Sequence, residues 1–308
     1  MVTNLSSPGA IPPPDSANQE LGGEMHEFVW EWEDQPIQVM YEVMGQGMPV
    51  LLLPAFSTVS MRQEMSGIGK LLAPYFQVFT VDFPGFGSSS RPKVNYGANL
   101  YQNFLADFVT SVFDTPIAVV AAGHSAAYVL HVAQKCKSLF SRISLVAPTW
   151  RGPLPTMGAN KQIAGMVREL VRSPILGYAL YQLNTIPSFL KFMYSRHVYV
   201  DEAKLTPSFI NYKWQNTQLP GGRFAPAAFV TGTLDAVHSQ AEFLELAKNL
   251  SIPLMVIIGE SSPPKSLTEM KALAALPGVS SDSLPGTLGM HEEFPEAVAE
   301  TILPFLDG

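Results

Sequence analysis

Apolar positions in this chain come in two rhythms. Short apolar or alternating runs read as strands: Glu27–Glu33, Ile37–Met44, Val50–Leu53, Val78–Asp82, Ile117–Ala122, Ile143–Val146, Leu254–Ile258 and a weaker one at Val279–Leu284. Between them lie stretches with helical spacing, such as Tyr128–Ala133 and the C-terminal series Val298, Ile302 and Phe305. Strand alternating with helix predicts an α/β fold around a mostly parallel sheet. From about residue 151 to 225 the rhythm breaks. There Ile163, Met166, Val167, Leu170 and Val171, then Ile186, Phe189, Leu190 and Met193, keep helical spacing, with Pro174, Pro187 and Pro207 dividing short helices. This stretch predicts an inserted helical cap.

Composition adds limits. At 308 residues and 47% hydrophobic content the chain can bury one large core. We expect a single α/β domain over 26–308, with its core at 26–150 and 226–308. Residues 1–25, rich in turn formers and poor in large apolar side chains, read as a disordered tail. They hold no apolar run of the secretory kind and no arginine, and the single cysteine, Cys136, fits a reducing compartment, so the expected location is cytoplasmic. Net charge is −7, which argues against nucleic acid as a partner. No apolar run reaches membrane-spanning length. Residues 151–225, by contrast, carry nine Lys/Arg against three Asp/Glu, leaving open a peripheral membrane contact through the cap.

Candidate chemistry centres on Gly123-His124-Ser125-Ala126-Ala127, which leaves the apolar run Pro116–Ala122 and enters a helix. A serine on a strand-to-helix turn is pushed to the tip of a sheet with its hydroxyl exposed, so Ser125 is the candidate nucleophile. His124 is expected to shape that turn rather than serve as base. Among six histidines only His291 lies in a loop just ahead of the C-terminal helix, and it is the candidate base. Two further landmarks are the strand Val50–Leu53 stopping at Pro54-Ala55-Phe56-Ser57, and the turn Asp82-Phe83-Pro84-Gly85-Phe86-Gly87-Ser88-Ser89. In the latter, Asp82 and Ser89 brace a tight turn and carry no catalytic role. It is not a phosphate loop, because neither the Gly-Lys-Ser/Thr nor the G-x-G-x-x-G pattern is present.

Together these landmarks, from about residue 27 to 305, resemble the α/β-hydrolase family. The resemblance implies helices on both faces of the sheet and a triad on loops in the order Ser, acid, His. It also implies an oxyanion hole formed by the N–H groups of Phe56 and Ala126. Pro54-Ala55 stands where many members have His-Gly, and Ser262 stands where members commonly carry Asp. The nearest candidate acid is then Glu260, with Asp235 as the alternative, and a Ser-His pair with a weak or displaced acid stays open. The expected function is a serine hydrolase cleaving an ester of an apolar or acyl-type small molecule, with neither an organic cofactor nor a metal. The fold also hosts lyases, carbon–carbon hydrolases and cofactor-free peroxidases, and a non-catalytic member would bind a small apolar ligand or a partner instead.

Overall fold

In the computed structural model, the described residues are 21–248 and 250–308, so most of the expected tail lies outside them. Its last residues do not behave as a tail. Leu21 is buried in the core, and the N–H groups of Gly22 and Gly23 donate to Glu42 Oε1 at 2.7 and 2.9 Å.

Eight strands form one sheet: β1 Glu24–Trp32, β2 Gln35–Met44, β3 Pro49–Leu53, β4 Gln77–Val81, β5 Ile117–Ala122, β6 Phe140–Val146, β7 Leu254–Gly259 and β8 Val279–Leu284. Their spatial order is β1-β2-β4-β3-β5-β6-β7-β8. β1 pairs antiparallel with β2, and β2 with β4; every other pairing is parallel. β5 is buried at every position, as a parallel strand covered on both faces must be, and this is why its sequence is a continuous apolar run. The edge strand β8 has no fully buried position, which accounts for its polar sequence, Val-Ser-Ser-Asp-Ser-Leu. Parallel neighbours need crossovers, supplied by helices Ser66–Leu72, Ala98–Val112, Ser125–Lys135 and Pro264–Ala274.

The chain moves from β3 to β4 on one side and to β5 on the other. The carboxyl ends of β3 and β5 therefore flank a topological switch point, the place where open α/β sheets bind ligands. Leu53 pairs with Ala121 in register, which sets the Pro54 loop beside the turn that follows β5. Between β6 and β7 the chain inserts helices Pro153–Thr156, Lys161–Arg172, Leu176–Asn184, Pro187–His197, Pro207–Thr217 and Phe224–Val230. Val59 from the β3–β4 connection joins Leu190, Tyr194, Tyr199, Leu205, Phe209 and Ile210 in a small apolar cluster separate from the main core. Among the described residues no helix is long and apolar enough to cross a membrane.

Candidate functional site

The turn after β5 is built around Gly123. Its N–H donates to Val146 O at 3.0 Å and its carbonyl accepts from Thr149 N–H at 3.0 Å, so the neighbouring strand end and the loop beyond it hold the turn in place. Its φ is +52°, a left-handed conformation that L side chains rarely adopt. A Cβ there would stand 2.9 Å from the Ala55 Cβ, closer than two such atoms approach. Glycine is thus required twice at this position, once by the backbone and once by space. His124, with φ −67°, already has right-handed helical geometry, and the helix proper starts at Ser125.

A nucleophile elbow carries its reactive side chain on the strained residue between strand and helix. In this turn that residue is Gly123, which has no side chain. Ser125 sits two residues further on, in the first turn of the helix and fully buried, with its hydroxyl donating to the carbonyl of Pro54. The exposed hydroxyl expected from the motif is therefore absent. Ala126 N–H, expected as an oxyanion donor, points back to Gly123 O at 3.3 Å. The ring of Phe56 is buried in an aromatic cluster, with centroids 4.5 Å from Phe83, 4.8 Å from Tyr101, 5.3 Å from Tyr128 and 5.9 Å from His124.

One expected acid does lie beside this turn, facing a different histidine. Asp235 Oδ1 accepts from Gly152 N–H at 2.8 Å and lies 3.7 Å from His124 Nε2. His124 Nε2 is also 3.2 Å from Leu234 O, which makes it the protonated nitrogen of a neutral ring. Burial pushes His124 down to about 4, opposed by its bond to the Leu234 carbonyl. Burial likewise pushes Asp235 up to about 7, opposed by the Gly152 N–H and the charge of Arg151. Between those values both groups are neutral. Glu260, the other expected acid, is exposed to solvent, and its backbone N–H pairs with Leu284 O at 3.1 Å. Ser262, in the position where a carboxylate was expected, is buried.

His291 is not on an open loop. It lies in the short helix Met290–Glu293, is 3% exposed, and places Nε2 3.5 Å from Glu64 Oε2. Neither of its ring nitrogens has a hydrogen-bond partner among the described residues. Around it is a knot of buried charge that ties the inserted helices to the core. Lys213, from helix Pro207–Thr217, is fully buried, with Nζ 2.7 Å from Glu292 Oε1 and 3.2 Å from Glu64 Oε1. Burial opposes the Lys213 charge, but attraction to Glu292 and Glu64 outweighs it and holds the ammonium well above its usual range. Burial raises the Glu292 carboxyl, with Lys213 pulling the other way. Next door, Glu293 accepts from Val200 N–H at 2.9 Å and Asp201 N–H at 2.7 Å, and Gly289 N–H donates to Val198 O at 3.1 Å. The segment predicted to carry the base is instead the seat of the inserted helices. Ser125 and His291 make no hydrogen bond to each other, and neither bonds Glu260.

The turn at Asp82 matches its expected structural role. Asp82 accepts from Ser88 N–H at 2.9 Å and Arg62 N–H at 2.7 Å and pairs with the Arg62 guanidinium at 2.5 Å. Ser89 Oγ donates to Asp82 O at 2.7 Å.

Sequence comparison matches residues 50–301, most of the chain, to the alpha/beta hydrolase family. The chain belongs to this family. No curated protein matches it in sequence. Solved structures share its fold. The haloalkane dehalogenase DatA from Agrobacterium tumefaciens is 16% identical with a TM-score of 0.69, covering 96% of this chain and 99% of its own. A thermophilic esterase from Thermogutta terrifontis is 21% identical with a TM-score of 0.68, covering 92% and 98%. A serine hydrolase involved in carbazole degradation, the CarC enzyme, is 18% identical with a TM-score of 0.67, covering 92% and 99%.

Within this alpha/beta hydrolase the signal that places the turn was present in sequence. Ala121-Ala122-Gly123-His124-Ser125 is flanked by small residues just as Gly123–Ala127 is, two positions earlier, so two registers compete for one turn. The charge cluster of Glu64, Lys213 and Glu292 next to His291 carried no local signal. They come together only through tertiary contact, across 149 residues of chain in one case.

Proposed function

We propose that this alpha/beta hydrolase works by binding a small apolar ligand rather than by Ser-His ester hydrolysis. The observation that carries the reading is Gly123 on the strained residue of the elbow, with no room for a side chain beside Ala55. Acyl transfer needs a nucleophile within reach of its base and of N–H donors aimed at the oxyanion. Ser125 spends its hydroxyl on Pro54, His291 faces Glu64, and Glu260 is out in solvent. Around the turn stand Ala55, Thr149 and the packed rings of Phe56, His124 and Phe229, apolar and aromatic surroundings that favour an apolar ligand over charged chemistry. A separate cleft of about 470 Å³ opens among the inserted helices, lined by residues such as Pro187, Lys191, Leu205 and Ile210, and touches none of these groups.

The competing reading is a serine esterase acting through Ser125, His291 and Glu260 or Asp235, with Phe56 and Ala126 as oxyanion donors. The esterase and the serine hydrolase of like fold speak for it, as does the Gly-x-Ser-x-Ala pattern. Hydrolysis of p-nitrophenyl esters of rising acyl length by the wild type and by Ser125→Ala decides between them. Binding predicts no difference in turnover, while the variant loses about 1 kcal/mol of stability with its buried hydrogen bond. Turnover by the wild type that disappears in Ser125→Ala would overturn the proposal.

A further inference from the structure

The inserted helices leave an unusual amount of apolar surface in water. Of the eighteen large hydrophobic side chains exposed among the described residues, twelve lie between Met157 and Val200. They are arranged, not scattered. In helix Lys161–Arg172, Ile163, Met166 and Leu170 are exposed at helical spacing on one stripe, with Met166 71% exposed. That helix and Leu176–Asn184 form a tight hairpin: Gly177 is buried against the backbone of Val171 and has no space for a Cβ. At the hairpin tip Ile175 is 87% exposed, followed by exposed Leu176. The next helix adds exposed Phe189 and Phe192, whose rings lie 6.4 Å apart. Twelve large apolar side chains exposed within one stretch of chain exceed the singly scattered ones normal for a surface and point to an interaction site.

Charge identifies what covers it. Residues 157–200 hold Lys161, Arg168, Arg172, Lys191 and Arg196 against Glu169 alone, a net of +4. The chain totals −7, so everything else sums to −11. The basic, apolar face is therefore set on a body that an anionic surface would repel, which orients the molecule on approach. Lys191 and Arg196 are exposed on the helix that carries Phe189 and Phe192, while Arg168 and Arg172 are half-buried and pair with Glu169. An exposed apolar hairpin tip followed by a helix bearing exposed apolar and basic side chains, on an otherwise acidic protein, is the composition of a segment that lies in a membrane interface. We propose that the helices from Lys161 to His197 dock on an anionic lipid bilayer, with Ile175 and Leu176 entering the acyl boundary.

Sedimentation with vesicles tests this using the full chain. The expected result is binding to vesicles of phosphatidylcholine with about one-third phosphatidylglycerol, weakening as salt rises, and little binding to phosphatidylcholine alone. Replacing both tip residues, Ile175→Ser with Leu176→Ser, should cut binding at least about tenfold while leaving the melting temperature unchanged, since both side chains are exposed. Lys191→Glu with Arg196→Glu should remove the preference for anionic lipid. Binding that ignores lipid charge and both variants, or no binding to either vesicle, would overturn the proposal. So would a concentration-dependent dimer that the tip variant abolishes, because a second copy would then be the occupant.

Discussion

At the scale of single residues the outcome turns on where one positive φ falls. Gly123, Ser125 and the small residues around them were visible in sequence, and so was a turn between β5 and the following helix. What remained open was the two-residue register within that turn, because alanine, glycine and serine all satisfy its demand for small side chains. The structure places the strain at Gly123 and the helix start at Ser125, which turns Ser125 inward onto Pro54. Asp235 and His124 give this scale its own prediction. Asp235 is raised from 3.8 to about 7 by burial, so the folded state holds its proton where the unfolded chain has lost it. Stability from this group is therefore present at low pH and is lost as pH rises toward 7, with the buried charge borne in full above that. His124 has the opposite sign: lowered to about 4, it costs stability as pH falls below about 6.5. Comparing the wild type with Asp235→Asn cancels His124, which both contain. The melting temperature of Asp235→Asn should gain on the wild type between about pH 4 and 7 and then run parallel to it. A gap independent of pH would show that Asp235 titrates normally.

Elements were the most legible level. Seven of the expected strands fall on β1 to β7 with ends shifted by a few residues, and β8 matches Val279–Leu284 at both ends. Strands are legible because burial on two faces imposes continuous apolar runs and an edge imposes polarity, and both demands are local. Local sequence also caps the helix Gln240–Lys248: Glu242 N–H donates to Ser239 Oγ at 3.2 Å, while the Glu242 carboxylate accepts from His238 N–H at 2.7 Å. How helix Pro207–Thr217 seats on the core was not legible, since Lys213, Glu64 and Glu292 are far apart in sequence and look like surface charges. Lys213 is the keystone of that seat. Lys213→Met should destabilise the fold by roughly 3–5 kcal/mol near neutral pH, because it leaves buried Glu64 and half-buried Glu292 without their shared cation. Lowering the pH should narrow the loss as the Glu292 carboxyl, raised by burial, takes up its proton, and adding Glu64→Gln and Glu292→Gln should restore part of it. Urea unfolding at pH 5 and 8 measures both. An equal loss at the two pH values would mean that packing, not charge, holds the helix.

For the whole molecule, the fold and the face it presents to its surroundings part company. An eight-stranded sheet places its switch point between β3 and β5, where open α/β sheets bind ligands, yet the turn there carries glycine at its tip. Charge is divided as well, with a basic apolar insertion on an acidic body. Both features suit a protein that holds a ligand near a surface better than one that turns over esters. The most direct test is intact-mass measurement after exposure to a fluorophosphonate, which phosphonylates an activated serine whatever its natural substrate. With Gly123 at the elbow and Ser125 bonded to Pro54, the mass should stay unchanged. A single adduct that maps to Ser125 and vanishes in Ser125→Ala would contradict the account and restore a serine hydrolase.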